Sequence, residues 1–243
     1  MDTNVSYPHI YSLSETSMVV QFADTINPDT HLRILTFIDL ITRNPFPGFI
    51  ECVPSYTGVA IFYKPTDVLA NAPTTLLSPS DLVRQQLEEY TAESAEHSAS
   101  VSQETIEIPV CYDLSLGPDL QEVAEHNSLT IDEVIQIHSE GVYQVYMLGF
   151  SPGFPFLGGM DEAIATPRKK QPRLTIPAGS VGIAGKQTGI YPMQTPGGWQ
   201  LIGQTPFKLF DLNRNEPSLL KPGHLIRFTP ISLEEFNELK ERD

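Results

Sequence analysis

Residues 149–203, GFSPGFPFLGGMDEAIATPRKKQPRLTIPAGSVGIAGKQTGIYPMQTPGGWQLIG, decide how this chain folds. Most of its 16 glycines fall inside this stretch, beside prolines in repeated short clusters. Pro152-Gly153-Phe154, Leu157-Gly158-Gly159, Pro177-Ala178-Gly179-Ser180 and Pro196-Gly197-Gly198-Trp199 are the clearest. Glycine admits positive φ and close backbone approach, and proline holds φ at about −65°. A run so punctuated cannot stay helical. It predicts short strands, around 181–184 and 199–202, joined by tight turns. Such turns gather backbone amides and a few side chains around a ligand on a rigid frame.

Outward from this stretch, strand-like runs continue with few helices. Residues 105–112 alternate, with Ile106, Ile108 and Val110 on one face. Gly117-Pro118-Asp119 opens a short helix, and Thr130-Ile131-Asp132-Glu133 is a capping box for a second one ending near His138. Strands are expected at 142–148, 207–212 and 225–229, with a last helix opened by Ser232. The pattern from 104 to 243 argues for a closed β-barrel or sandwich. Residues 1–95 read differently. Strand pairs at 7–13 and 17–23, then 49–53 and 59–63, alternate with helices opened by Asn27-Pro28 and Ser78-Pro79. The order is ββαββα, two helices on one face of a four-stranded sheet. Residues 96–103, rich in Ala, Ser and Glu, read as a linker.

The 243 residues carry a formal charge of −15, which disfavours nucleic acid because phosphate contacts need a basic surface. No apolar run approaches the roughly 18 residues a membrane span needs, and the N-terminus lacks a signal pattern, so a cytoplasmic protein is expected. Cys52 and Cys111 are the only cysteines, in strand-like runs without C-x-x-C spacing, and read as reduced thiols. Against the acidic background, Arg168, Lys169, Lys170, Arg173 and Lys186 form a local basic cluster. It could steer an anion into a site or simply line a solvated loop.

Several residues are candidates for chemistry. His138 could donate to a ligand oxygen or act as acid or base; the alternative is capping of its helix C-terminus. The loop 177–185 is not a Walker A motif, since Gly185-Lys186 is followed by Gln187. Its amides could still form an anion nest, with Ser180, Gly182, Arg173 and Lys186 around it; the alternative is tight barrel corners. Trp199, Tyr191, Phe154 and Phe156 either pack a core or, exposed together, make a partner surface. No catalytic triad, nucleophile elbow or metal-ligand cluster is present.

The clusters Gly149-Phe150-Ser151-Pro152-Gly153-Phe154, Ile176-Pro177-Ala178-Gly179-Ser180, Gln187-Thr188-Gly189-Ile190-Tyr191 and Thr195-Pro196-Gly197-Gly198-Trp199 resemble those of the allophanate hydrolase subunit 1-like family. Its carboxyltransferase domain, subdomain C/D, branch includes the B subunits of 5-oxoprolinases and the KipI kinase inhibitors. The resemblance implies an α+β, mainly β chain: the small N-terminal domain followed by a cyclophilin-like β-barrel. It implies ATP-dependent opening of 5-oxoproline to glutamate, with a homologous, KipA-like C subunit plus a metal-dependent A subunit. ATP, with Mg2+, would be bound in that complex, and the lone chain would be inactive. The alternative it implies is a regulatory protein that inhibits a sporulation histidine kinase. No Met-Lys biotin signature occurs, so covalent biotin is not expected. In the enzyme reading Arg173, Lys186 and His138 are catalytic. Ser180, Gly182, Gln187, Tyr191, Gly197 and Gly198 bind substrate or anion, and Phe154, Phe156 and Trp199 face a partner; no metal ligand is assigned.

Overall fold

The computed structural model describes residues 6–72, 76–96 and 105–242. The chain divides into two compact units, Met1–Ser102 and Gln103–Asp243. The linker expected at 96–103 lies, from residue 97 on, outside the described residues.

The first unit is the expected alternation with one addition. Strands β1 (His9–Ser14), β2 (Ser17–Gln21), β3 (Phe49–Pro54) and β4 (Gly58–Tyr63) form an antiparallel sheet in the order β1-β2-β4-β3. Helix α1 (Pro28–Arg43) starts where Asn27 Oδ1 accepts from the Thr30 amide at 2.8 Å, with Pro28 in the first turn. Alternate strand residues Met18, Val20, Val59, Ile61 and Tyr63 are buried with Ile34, Phe37 and Ile41 of α1. Val83 and Leu87 of α3 (Pro79–Glu96) join the same core. Between β4 and α3 lies the added short helix α2 (Pro65–Ala70), marked by Pro65 at its first position and Asp67 in its first turn.

In the second unit the strands are β5 (Thr105–Val110), β6 (Tyr143–Leu148), β7 (Pro155–Gly158), β8 (Arg173–Ile176), β9 (Ser180–Ala184), β10 (Gln187–Ile190), β11 (Thr195–Gly197), β12 (Gln200–Gln204) and β13 (Leu225–Pro230). The helices are α4 (Leu120–His126), α5 (Ile131–Glu140) and α6 (Leu233–Arg242). One sheet runs β5-β13-β6-β7, a second β10-β9-β12, and β8 pairs with β11 as a two-stranded ribbon. The first two sheets join where Cys111 and Gln204 exchange backbone hydrogen bonds of 2.9 and 3.0 Å. At the other side β7 lies against β10: a Cβ on Gly189 would sit 3.1 Å from Phe154 and 3.3 Å from the Pro155 carbonyl. The strands therefore wrap a core of Ile108, Val110, Val145, Val181, Ile183, Ile202 and Phe228, which Val123 of α4 and Val134 of α5 complete. The wrap is barrel-like, with separate sheets in place of one continuous ladder.

The capping box at Thr130 forms as expected, Thr130 Oγ1 accepting from the Glu133 amide and Glu133 from the Thr130 amide at 2.7 Å. The strand expected at 207–212 does not form. Asp211 Oδ1 accepts from the Asn213 amide at 2.9 Å, and this Asx turn reduces the segment to a single Phe210–Ser218 bridge. Cys52 and Cys111 are both free thiols. No helix among the described residues is long and apolar enough to cross a membrane.

Candidate functional site

A cleft of about 330 Å³ opens in the second unit over the Gly-rich stretch. Its walls are Phe150, Phe154, Phe156, Tyr191 and Trp199, with Arg168 at one side and Pro196-Gly197-Gly198 along the backbone. The rings interlock edge to face: Phe154 meets Tyr191 at 5.5 Å, Trp199 at 5.6 Å and Phe156 at 5.1 Å between centroids. Phe154, Tyr191 and Trp199 are buried in a small core with Ile176, Ala184 and Leu201. This corrects the reading of Phe154 and Trp199 as an open partner face: they form the floor of a cleft, and Phe156 packs half-buried against them. The exposed ring is Phe150, at 67%.

Phe150 is placed by an unusual turn. The Ser151 amide donates to the Gly149 carbonyl at 2.7 Å around Phe150, whose φ is +64°. A three-residue bond with positive φ is the strained form of γ-turn, and a bulky side chain there costs on the order of 1–3 kcal/mol. Sequence reasoning missed Phe150 as a site residue, because only this backbone geometry lifts it to the rim.

Any side chain at Gly197 would have to displace the cleft wall. A Cβ there would lie 2.5 Å from the Tyr191 phenol oxygen and 2.7 Å from Ile176 Cδ1. At Gly198 the nearest atoms would be 3.7 Å away, ordinary contact. Burial pushes the Tyr191 phenol above its usual pKa, partly offset by the Trp199 backbone and by Arg168 and Arg173.

Beside the cleft lies a charge hub that the sequence did not disclose. The Asp119 carboxylate, 4% exposed, accepts from Arg173 Nη2 at 2.7 Å, Lys169 Nζ at 2.8 Å and the Leu201 amide at 2.7 Å. Burial alone would raise its pKa, but these donors outweigh it and hold the carboxyl below the usual range. Lys169 also reaches Glu122 at 2.8 Å, and its own pKa is raised by Asp119 first and Glu122 second. Gln200 Nε2 ties Glu122 and the Pro167 carbonyl into the hub at 3.2 and 3.0 Å. Arg173 is thus committed to Asp119, and its Nη1 is buried with no acceptor.

The expected tripod of Arg173, Lys186 and Ser180 does not converge. Lys186 sits in the two-residue hairpin between β9 and β10, where Gly185 takes φ +60° and Ala184 pairs with Gln187. Its Nζ pairs with Glu162 at 2.6 Å on the surface, both side chains about 70% exposed. Ser180 and Gly182 belong to β9, the middle strand of its sheet; the Ser180 amide donates to the Pro177 carbonyl at 3.3 Å and Gly182 lies paired between Gly189 and Leu201, so the two do not form an anion nest. Gln187 opens β10. Among the described residues no three His, Cys, Asp or Glu side chains group as a metal site.

His138 is fully buried in the barrel core, stacked on Phe228 at 4.4 Å. Thr188 Oγ1 donates to the Gly182 carbonyl at 3.2 Å, so it accepts from His138 Nε2–H at 2.9 Å. Nδ1 is then the acceptor for the Tyr112 hydroxyl at 2.7 Å. Burial drives its pKa down to about 3, leaving a neutral ring with both nitrogens engaged. It has neither proton nor lone pair for a ligand. Neither catalysis nor the alternative of a charged helix cap describes it; it is a core residue of the barrel.

Comparison with known proteins assigns the family. The carboxyltransferase domain, subdomain C and D, matches residues 8–220. The chain belongs to this family. It is similar to the B subunit of 5-oxoprolinase from Bacillus subtilis (strain 168), 49% identical over 96% of each chain. It is also similar to the B subunit of 5-oxoprolinase from Escherichia coli O157:H7, 40% identical over 90% of this chain and 94% of that one. Among solved structures, a conserved protein of Pyrococcus horikoshii, PH0987, matches with TM-score 0.55 and 39% identity over 94% of this chain and all of that chain. TTHA0988 matches with TM-score 0.76 and 33% identity over 89% of this chain, which spans only 40% of TTHA0988.

Proposed function

We propose that this chain is the B subunit of an ATP-dependent 5-oxoprolinase, which opens 5-oxo-L-proline to L-glutamate together with the A and C subunits. What carries the reading is 49% identity to a protein of that name across 96% of both chains. The aromatic cleft suits the task. In the reaction water adds to the lactam carbonyl, the ring C–N bond breaks, and the nitrogen leaves with a proton as the amine. The five-membered ring fits against Trp199, Tyr191 and Phe154, whose faces exclude bulk water from the carbonyl and fix its orientation. A wall of interlocked rings over the rigid β9–β12 frame holds that geometry without reorganisation. We assign nucleotide binding to a different chain of the complex, because Arg173 and Lys169 are paired with Asp119 and Glu122, and β9 is flanked by strands on both sides with the Ser180 amide bonded to the Pro177 carbonyl. The lone chain is then inactive.

The experiment is reconstitution. The A and C subunits are combined with and without this chain, and glutamate formation and ATP hydrolysis are followed with 5-oxo-L-proline as substrate. Turnover should depend on all three chains. Equal glutamate formation when this chain is omitted would refute the assignment.

A further inference from the structure

We infer that Arg168 is the carboxylate clamp of the cleft, so that the site selects the free acid of a small cyclic amide over its neutral analogues. This rests on the 5-oxoprolinase reading and extends it to a residue and a specificity. The chain carries 30 acidic side chains against 15 lysines and arginines, so any cation has a surplus of partners to choose from. Lys169, Arg173 and Lys186 in the same stretch each take one. Arg168 does not: among the described residues it forms no ion pair, and its guanidinium is held over the Trp199 ring, 5.9 Å from the centroid. It lines the cleft at the same time. A cation parked on an aromatic face keeps its planar edge free for two parallel bonds to a carboxylate.

Its position is fixed by its neighbours. The next residue, Lys169, is tied to Asp119 and Glu122 by its side chain and to the Gly198 carbonyl by its amide at 2.8 Å. Arg168 is thereby anchored at the backbone while its side chain stays exposed. A ring stacked on the aromatic wall, with its carboxylate turned to Arg168, meets both chemistries of the cleft at once. An amide or ester in place of that carboxylate cannot accept the bidentate, charge-assisted pair.

The test is steady-state kinetics of the reconstituted complex carrying Arg168→Met or Arg168→Lys. Arg168→Met should raise the KM for 5-oxo-L-proline by about 10- to 100-fold, the usual range for losing a charge-assisted hydrogen bond, with kcat little changed. Arg168→Lys should recover part of that loss. As competitor, 5-oxo-L-prolinamide should inhibit wild type and Arg168→Met equally, because it has no charge to present. Both variants should keep the wild-type far-ultraviolet spectrum and thermal midpoint, since the side chain is exposed. An active complex whose KM is unmoved by Arg168→Met overturns the clamp alone. A wild-type complex that leaves 5-oxo-L-proline intact overturns the functional reading and the clamp with it.

Discussion

Acid should unfold the second unit earlier than its surface charge suggests, and His138 is the reason. In the folded chain this imidazole has a pKa of about 3, against about 6.5 when solvated. Between those values the unfolded chain binds one proton that the native chain refuses, so stability falls as pH falls. The contribution is fully present above about pH 6.5 and is lost progressively toward pH 3. Each pH unit in that window is worth about 1.4 kcal/mol, so the whole shift amounts to on the order of 5 kcal/mol, of which about 2 kcal/mol is lost between pH 7 and pH 5. The assay is urea unfolding at pH 7 and pH 5, read from the fluorescence of Trp199, the chain's single tryptophan. His138→Gln removes the titration and serves as reference. Its own stability is lower at both pH values because the stack on Phe228 is lost. The quantity that matters is the pH-dependent part, which should be smaller than wild type by about 2 kcal/mol. Equal pH dependence in the two proteins, or a ring that titrates near pH 6.5 in the folded chain by NMR, would refute the buried neutral imidazole.

Other perturbations follow from the same geometry. Asp119→Ala strands Lys169, Arg173 and the Leu201 amide, and should cost about 3 kcal/mol in chemical denaturation, the lower end for a broken buried pair because both cations keep about a quarter of their exposure. Because the Asp119 carboxyl is held below the usual range, that stabilisation should be present above about pH 4 and fade as pH falls through its lowered pKa, a dependence absent from Asp119→Ala. Gly197→Ala should lower the melting temperature and weaken substrate binding by displacing Tyr191, at a cost of about 1–3 kcal/mol, whereas Gly198→Ala should stay within about 0.5 kcal/mol of wild type. Lys186→Ala should change neither turnover nor stability by more than about 0.5 kcal/mol, because its pair with Glu162 is solvated.

Local signals in the sequence carried far. The Asn27 cap, the Thr130–Glu133 capping box and the alternation before Cys111 each depend on residues a few positions apart, and each formed where expected. Helix α2 is legible from Pro65 and Asp67, yet six residues are too few for periodicity to show. The candidate site is harder because its chemistry is set by distant partners. Arg173 reads as a free cation until the fold brings Asp119 to it from 54 positions away. Ser180 and Gly182 read as an open loop because proline and glycine surround them, but the fold puts them in a strand with neighbours on both sides, and the Ser180 amide is taken by the Pro177 carbonyl. His138 sits at a helix end in the sequence and in the middle of a core in space, since that helix closes over the barrel. The aromatic residues stand out as a group in the sequence, and only their packing reveals that Phe154 and Trp199 are floor while Phe150 is rim.

The Asp119 hub has a kinetic consequence. Its bonds close loops of 50, 54 and 82 residues, so the carboxylate meets its partners only when segments far apart in the second unit come together. The expectation is that contacts of that range form late, on the native side of the barrier. In stopped-flow measurements its removal should leave the refolding limb nearly unchanged and speed escape from the native state, so that this one aspartate governs how long the assembled unit persists more than how fast it is reached.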